Sequence, residues 1–265
     1  MNNNTLIEIA QEIRDTIKNY MYSQEDYGEI VKKKKRDVTR KIDMVAENAL
    51  ESALHKHGFS ANVISEELGE RIIGSRTPEF TLVFDPVDGT TNASRGIPFF
   101  CTSLAYSKTT DKVTFGEISS GVVCDILGNT YHAVKNKGAF LNGKRIKNEP
   151  KPSIKKVISI YSYGVPYIPI GILELQKNAI IRILGSIALD MSFVAIGSID
   201  GLIDVRDFLS GYDISASYLI LKEAGGIITD INGNDYTDMD VNATGFSFVC
   251  AKDKELHSKI ISILQ

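Results

Sequence analysis

Tryptophan is absent from the sequence, cysteine occurs three times and histidine four times. Cys101, Cys124 and Cys250 are odd in number, far apart and set in apolar strand-like runs, so no disulfide framework is implied. They read as buried thiols of a protein in a reducing compartment. His55, His57, His132 and His257 have no acidic or cysteine company at ligand spacing and receive no role. No apolar run approaches the roughly 18 residues of a membrane helix. Met1-Asn2-Asn3-Asn4-Thr5 also lacks the basic region and apolar core of a leader, and a cytoplasmic protein is expected. An excess of positive charge is missing too: the net charge is −3, which leaves no nucleic-acid footprint. The one basic cluster, Lys32-Lys33-Lys34-Lys35-Arg36, reads as a solvated loop or helix end rather than a site for RNA or anionic substrates.

What is present suits an ordinary soluble protein, with 43% hydrophobic and 24% charged residues in 265. That length can bury a substantial core, and two units are expected, 1–147 and 153–265. The boundary is Asn148-Glu149-Pro150-Lys151-Pro152, where two prolines break regular structure. Leu6, Ile9, Ala10, Ile13 and Ile17 recur at helical spacing and predict a helix over residues 5–20. Val45, Ala46, Ala49, Leu50, Ala53 and Leu54 give a second stripe, with Asp43 near its start. Strands are expected at 61–64, 80–84, 101–106, 113–119, 122–126 and 131–134, paired largely antiparallel, with a hairpin at Asn142-Gly143. Beyond the prolines, strands at 157–161, 180–184, 201–205, 227–229 and 246–250 alternate with helices at 186–196, 213–224 and 254–264. This is α/β grammar.

The stretch Phe80-Thr81-Leu82-Val83-Phe84-Asp85-Pro86-Val87-Asp88-Gly89-Thr90-Thr91-Asn92 organises the rest. An apolar strand ends in acids, a turn and hydroxyls, and Pro86, lacking an N–H, is expected to stop the strand at Asp85. Thr90 or Asn92 is expected to cap a following helix, gathering N–H groups beside two carboxylates. Ser65-Glu66-Glu67 ends its own strand in the same way, so paired strand ends would set Glu66 against Asp85 and Asp88. Taken alone, Asp85 and Asp88 could be turn punctuation and Asp213 a helix cap.

These residues, together with Tyr212-Asp213-Ile214-Ser215-Ala216, Gly138-Ala139-Phe140-Leu141-Asn142-Gly143, Arg182-Ile183-Leu184-Gly185-Ser186-Ile187-Ala188-Leu189 and Glu223-Ala224-Gly225-Gly226, stand in an informative order. The set resembles the inositol monophosphatase and fructose-1,6-bisphosphatase family of lithium-sensitive, metal-dependent phosphatases, in its bifunctional form, over nearly the whole chain. The resemblance implies an α+β, layered αβαβα sandwich of the sugar-phosphatase type, with an antiparallel sheet first and a mixed sheet second. It implies Glu66, Asp85, Asp88, Asp213 and the Val87 carbonyl as ligands of Mg²⁺, two or three ions, or of Mn²⁺. All are hard oxygen donors, as these ions prefer, and the charge of four carboxylates would be balanced by two divalent cations.

By the same resemblance Thr90, hydrogen-bonded to Asp43, orients the attacking water near Glu66 and accepts its proton, while Gly89 and Thr90 offer N–H groups to phosphate. Gly185 and Ser186 match the substrate-contact turn. Tyr212 replaces the tryptophan common before the ligand Asp, a change of packing. The loop at Asp37 and Thr39 is shorter than in the bifunctional members, which bears on a third metal. Arg206, where inositol-selective members carry an acid, suits a second phosphate, as in fructose-1,6-bisphosphate; its other reading is pairing with Asp204 or Asp207. A small sugar or inositol phosphate, no nucleic acid, no membrane and a homodimer follow as expectations. Two other readings are a haloacid-dehalogenase-like phosphatase, whose motif has one residue between the acids rather than two, and a non-catalytic member of the family associated with RNA or transcription through Lys32–Arg36.

Overall fold

The computed structural model of the chain describes residues 1–33, 38–147 and 154–265. The prolines expected as a boundary, Asp37 and most of the basic cluster lie outside them. In chain order the elements begin with α1 (Asn3–Ser23), β1 (Ile30–Lys33), β2 (Val38–Arg40), α2 (Lys41–Lys56), β3 (Ala61–Ser65), β4 (Gly69–Ile73), β5 (Thr81–Asp88) and α3 (Thr90–Ser94). Then come β6 (Cys101–Ser107), β7 (Ile118–Asp125), β8 (Thr130–Val134), β9 (Gly138–Leu141) and β10 (Lys144–Arg145). The remainder is β11 (Val157–Tyr161), α4 (Ile170–Asn178), β12 (Ile180–Arg182), α5 (Ile187–Ala195), β13 (Gly201–Ser210), α6 (Gly211–Glu223), β14 (Ile227–Thr229), β15 (Thr244–Ala251) and α7 (Lys254–Leu264).

Five layers result. The stripe Leu6, Ile9, Ala10, Ile13 and Ile17 on α1 is buried with Ile42, Ala46 and Leu50 of α2 against Leu82, Phe84 and Leu104 on one face of an eight-stranded sheet. That sheet runs β10-β9-β8-β7-β6-β5-β3-β4 and is antiparallel except where β3 and β5 lie parallel. Its other face carries Ile64, Val83, Val123 and Tyr131, which share a core with Leu189 and Val194 of α5, Ile214 and Leu221 of α6, and Leu202 and Cys250 of the second sheet. The second sheet, ordered β12-β11-β13-β15-β14, is mixed, with β11 parallel to both neighbours and β15 antiparallel to both of its own. α4 and α7 cover its far face through Ile172, Leu175, Leu256 and Ile260. The αβαβα sandwich is therefore the fold, with α5 and α6 between the two sheets and α6 packed mainly on the first. No helix among the described residues is long and apolar enough to cross a membrane.

The structure departs from expectation in instructive places. Pro86 does not end its strand, because β5 runs on to Asp88 through a break in register between Asp85 and Asp88. One extra residue there lets the missing N–H fall where the ladder is already interrupted. Residues 113–119 are not a strand throughout: Phe115–Glu117 form a 3₁₀ turn whose start is capped by Glu117 accepting from the Thr114 N–H. Neither Thr90 nor Asn92 caps α3, whose N-cap is Gly89 at φ 96°. β4 and α4 arise in stretches that gave no clear pattern. The Asn142-Gly143 hairpin is as expected, joining β9 to β10 with φ of 51° and 76°.

At Gly121 on β7 the backbone of α6 comes close to the sheet: a Cβ there would stand 2.6 Å from the Ala216 carbonyl oxygen and 2.9 Å from its Cα. Gly121→Ala is expected to destabilise the protein by about 1–3 kcal/mol through overpacking, as read by urea unfolding. It should also lower activity, since α6 carries Asp213; a variant of native stability would mean the layers can part without strain.

Candidate metal centre

Paired strands put residues opposite one another on a common face, and β5 is flanked on both sides. On one side β3 runs parallel with Ser65 opposite Phe84, and the Glu66 N–H donates to the Phe84 carbonyl at 3.1 Å. Glu66 thus emerges beside Asp85. On the other side Asp85 lies opposite Ser103 and Asp88 opposite Cys101. Ser103 and Cys101 are two apart and share a face, so their partners do too, although Asp85 and Asp88 are three apart and a regular strand would send them to opposite faces. The bulge at Pro86 and Val87 is what turns both acids toward the central helix layer.

That layer meets them with helix starts. Asp88 accepts from the Ser186 hydroxyl at 2.6 Å and from the Ile187 and Ala188 N–H groups at 3.2 and 2.7 Å, so it acts as the missing cap of α5. Asp213 sits in the first turn of α6 and accepts from the Ser210 N–H at 2.7 Å, closing a capping box. It is therefore not the N-cap expected of it, which is Ser210, but the third helical residue reaching back, because α6 starts two residues earlier, at Gly211. Asp85 is buried, and its Oδ1 has no hydrogen-bond partner.

The acids feel each other. Burial, followed by repulsion from Glu66, Asp88 and Asp213, raises Asp85 well above the usual carboxylate range. Asp88 is raised by desolvation in spite of its donors. Asp213 is pushed up to about 7, again by desolvation first, with Asp88 adding repulsion against the Ser210 bond. No histidine or cysteine ligand joins them, and the nearest thiol, Cys101, is raised by burial and by Asp88. A hard, multiply charged oxygen cluster with one unbonded buried oxygen fits a divalent cation of the magnesium kind. Among the described residues, though, no three acid, histidine or cysteine side chains stand in a finished metal-holding shell. Asp88 is bonded to the start of α5 and Asp213 to Ser210.

The remaining expected site residues fall around this cluster. The Thr90 hydroxyl donates to the Val87 carbonyl at 2.9 Å rather than to Asp43 as expected, because that carbonyl, three residues back across the turn, is within its reach. Asp43, 1% exposed in the first turn of α2, accepts from the Arg40 N–H at 2.6 Å. Gly89 approaches the Gly185 carbonyl, which a Cβ on Gly89 would meet at 3.0 Å. Gly185 itself adopts φ 92°, with Asn92 packed where its side chain would be.

Arg206 stands apart from the second-phosphate role expected of it. Its guanidinium binds the buried Asp204 carboxylate through Nε (3.1 Å) and a second nitrogen (2.6 Å), and lies over the rings of Tyr161 and Tyr163 at 4.7 and 4.6 Å. Its charge is already balanced, so a phosphate would have to compete with a buried carboxylate. The alternative reading, a pairing with Asp204, is the arrangement present. Asp190 was not singled out from the sequence. It is buried within α5, accepts from Tyr161 and Ser159, and is pushed up to about 7 by desolvation. A lone acid in the apolar run Ile187–Ala195 was the available signal.

Residues 2–265 match the profile described as the inositol monophosphatase family. The chain is 36% identical over 261 residues to a fructose-1,6-bisphosphatase of Pyrococcus furiosus, covering 98% of this chain and 96% of that protein. It is 34% identical over 272 residues to a fructose-1,6-bisphosphatase/inositol-1-monophosphatase of Methanothermobacter thermautotrophicus, covering 98% and 95%. It also matches a bifunctional NADP phosphatase/NAD kinase of Methanococcus maripaludis at 34% identity, covering 97% of this chain but spanning about half (48%) of that protein. Among solved structures, a crystal structure of an inositol monophosphatase-fructose 1,6 bisphosphatase superposes with a TM-score of 0.82 at 32% identity, covering 100% of both chains.

With divalent cations chelated, Asp190 and Asp213, both at about 7 in the folded protein against 3.8 ordinarily, make the native state hold protons that the unfolded chain has released. Their contribution to stability therefore declines as pH rises from about 4 to about 7 and then levels off. Thermal melts in chelator should give a lower midpoint at pH 8 than at pH 5, with added Mg²⁺ raising the pH 8 midpoint more. A midpoint that climbs from pH 5 to pH 8 in chelator would contradict the crowded-acid picture.

Proposed function

The chain belongs to the inositol monophosphatase family, and from that premise we propose that it is a magnesium-dependent phosphomonoester hydrolase acting on fructose-1,6-bisphosphate, inositol-1-phosphate or both. The observation that supports this most directly is the mutual repulsion of Glu66, Asp85, Asp88 and Asp213 at the junction of β3, β5 and α6. Carboxylates crowded until burial and mutual repulsion raise them together are what a cation site requires. These four side chains and the Val87 carbonyl would hold Mg²⁺ or Mn²⁺, two ions by charge balance. When bound, such ions supply Lewis acidity to a water and to the ester oxygens.

The chain's own groups do the rest. The Thr90 hydroxyl donates a hydrogen bond to the Val87 carbonyl, which leaves its lone pairs to accept from a water. For Thr90 to take that water's proton while handing its own to Asp43, the hydroxyl would have to turn from Val87 to Asp43. Glu66, at the edge of the cluster, lies on the side assigned to the attacking water. Gly89 and Thr90 N–H groups are assigned to phosphate oxygens; α3 is one turn of five residues, so single N–H groups rather than a helix dipole would act. Gly185 and Ser186 are assigned to the sugar or inositol hydroxyls, where the left-handed turn lets backbone approach.

A homodimer and a cytoplasmic location belong to the same reading, the latter supported by three free, buried thiols. The haloacid-dehalogenase reading gives way to family membership. Nothing among the described residues favours a transcription-associated role.

Phosphate release from both substrates should require Mg²⁺ and stop with chelator, and Li⁺ should inhibit it. Asp85→Asn should lower kcat/KM by more than about a hundredfold, since changes behind the ligands alone cost roughly 10–100-fold in metal sites. Full activity in Asp85→Asn would remove the metal centre from the account. Arg206→Ala, tested on both substrates, should lose selectively on the bisphosphate if Arg206 reaches a second phosphate. Equal loss on both, or none on the bisphosphate, would confine Arg206 to holding Tyr161 and Tyr163.

A further inference from the structure

The turn assigned to substrate contact is held from behind by a side chain of the second sheet. Tyr161 ends β11, is 1% exposed, and points its hydroxyl at the base of the turn before α5. The Gly185 N–H donates to that hydroxyl at 2.7 Å, and the hydroxyl donates to Asp190 Oδ2 at 2.6 Å. Ser159, two residues back on the same strand, gives Asp190 a second donor at 2.8 Å. Asp190 Oδ1 is buried and has no hydrogen-bond partner, so the carboxylate's bonding is concentrated on the oxygen that faces Tyr161. Arg206 lies over the Tyr161 ring at 4.7 Å and is itself fixed by Asp204.

From the front the same turn is held by α3. Asn92 donates through Nδ2 to the Leu184 carbonyl at 2.7 Å, and a Cβ at Gly185 would strike that nitrogen at 2.8 Å. The residue after Gly185 then hands its hydroxyl to Asp88. A displacement of Gly185 therefore passes in one step to Ser186 and to a carboxylate of the centre. A phenylalanine at 161 would fill the space but offer Gly185 no acceptor and Asp190 no donor.

We propose that Tyr161, oriented by Asp190, is a positioning residue that sets the Gly185–Ser186 turn against the substrate and against Asp88. This rests on the phosphatase reading for what the turn contacts, but the hydrogen-bonded chain itself does not. Neither residue touches the reacting atoms; both act through backbone.

The test is Tyr161→Phe, with Asp190→Asn as the variant that keeps an acceptor oxygen for the tyrosine, in the full-length protein with Mg²⁺. Tyr161→Phe should raise KM by about tenfold, the equivalent of one good hydrogen bond, with kcat changed less. Asp190→Asn should stay within about threefold of the parent in KM, and the double variant should be no worse than Tyr161→Phe. A role in folding alone would reduce the active fraction, lowering apparent kcat at constant KM. Amide hydrogen exchange gives a second readout: the peptide spanning residues 184–188 should exchange faster in Tyr161→Phe, while β13 stays protected. Unchanged KM and unchanged exchange in a folded Tyr161→Phe overturn the proposal. If the parent protein hydrolyses neither phosphate ester, the phosphatase reading fails, and the exchange result still decides whether Tyr161 holds the turn.

Discussion

Carboxylates that repel one another at close range are the constraint around which this molecule is arranged. Asp85 lies in the interior with one oxygen unbonded, and Glu66, Asp88 and Asp213 raise its pKa further from the sides. Like charges in a poorly solvated wedge cost stability unless donors or cations reach them. Donors reach two of them: the backbone N–H groups that open α5 bind Asp88, and the Ser210 N–H before α6 binds Asp213. Both helices point their positive ends at the acids. What remains is the buried Asp85 oxygen with no hydrogen-bond partner, and that is what a metal would take up.

The layered fold is how such a wedge can be built rigidly. Acids from the end of β3, from β5 and from α6 arrive from three stretches of chain, and each is set by bonding of the backbone. The parallel pair β3 and β5 fixes Glu66, the register break in β5 fixes Asp85 against Asp88, and the capping box fixes Asp213. Because α5 and α6 pack against both sheets in one shared core, the sheets cannot shift without moving the helix starts. Gly121, against Ala216, allows that approach.

Around the wedge, neighbouring charges act as a balanced pair. Arg206 draws Asp213 down and Asp204 pushes it up, while Asp204 holds the guanidinium beneath two tyrosines. Desolvation raises the Asp204 carboxyl and the Arg206 bonds draw it back, so the pair is close to neutral as a unit. Asp190 is handled differently: hydroxyl donors from Ser159 and Tyr161 stand in for a cation. Such a carboxylate stiffens what it touches, and it touches the strand end behind the Gly185 turn.

The sequence by itself determined which residues are inside and which acids belong together. Helical spacing of apolar residues specified α1 and α2, the alternation of elements specified the second sheet with its helices, and the motifs around Asp85 and Asp213 specified the chemistry. These are local or family-level signals, carried by residue type and spacing. Only tertiary structure decided the continuation of β5 past Pro86, the 3₁₀ turn at Phe115–Glu117, the edge strand β4 and the partner of Arg206. A bulge exists only relative to a neighbouring strand, and an arginine's carboxylate is chosen by distance in space. The same holds for Tyr161 and Asp190, 29 residues apart and invisible as a pair until β11 and α5 are packed. Composition and periodicity fix what must be buried; register and packing fix which buried groups meet.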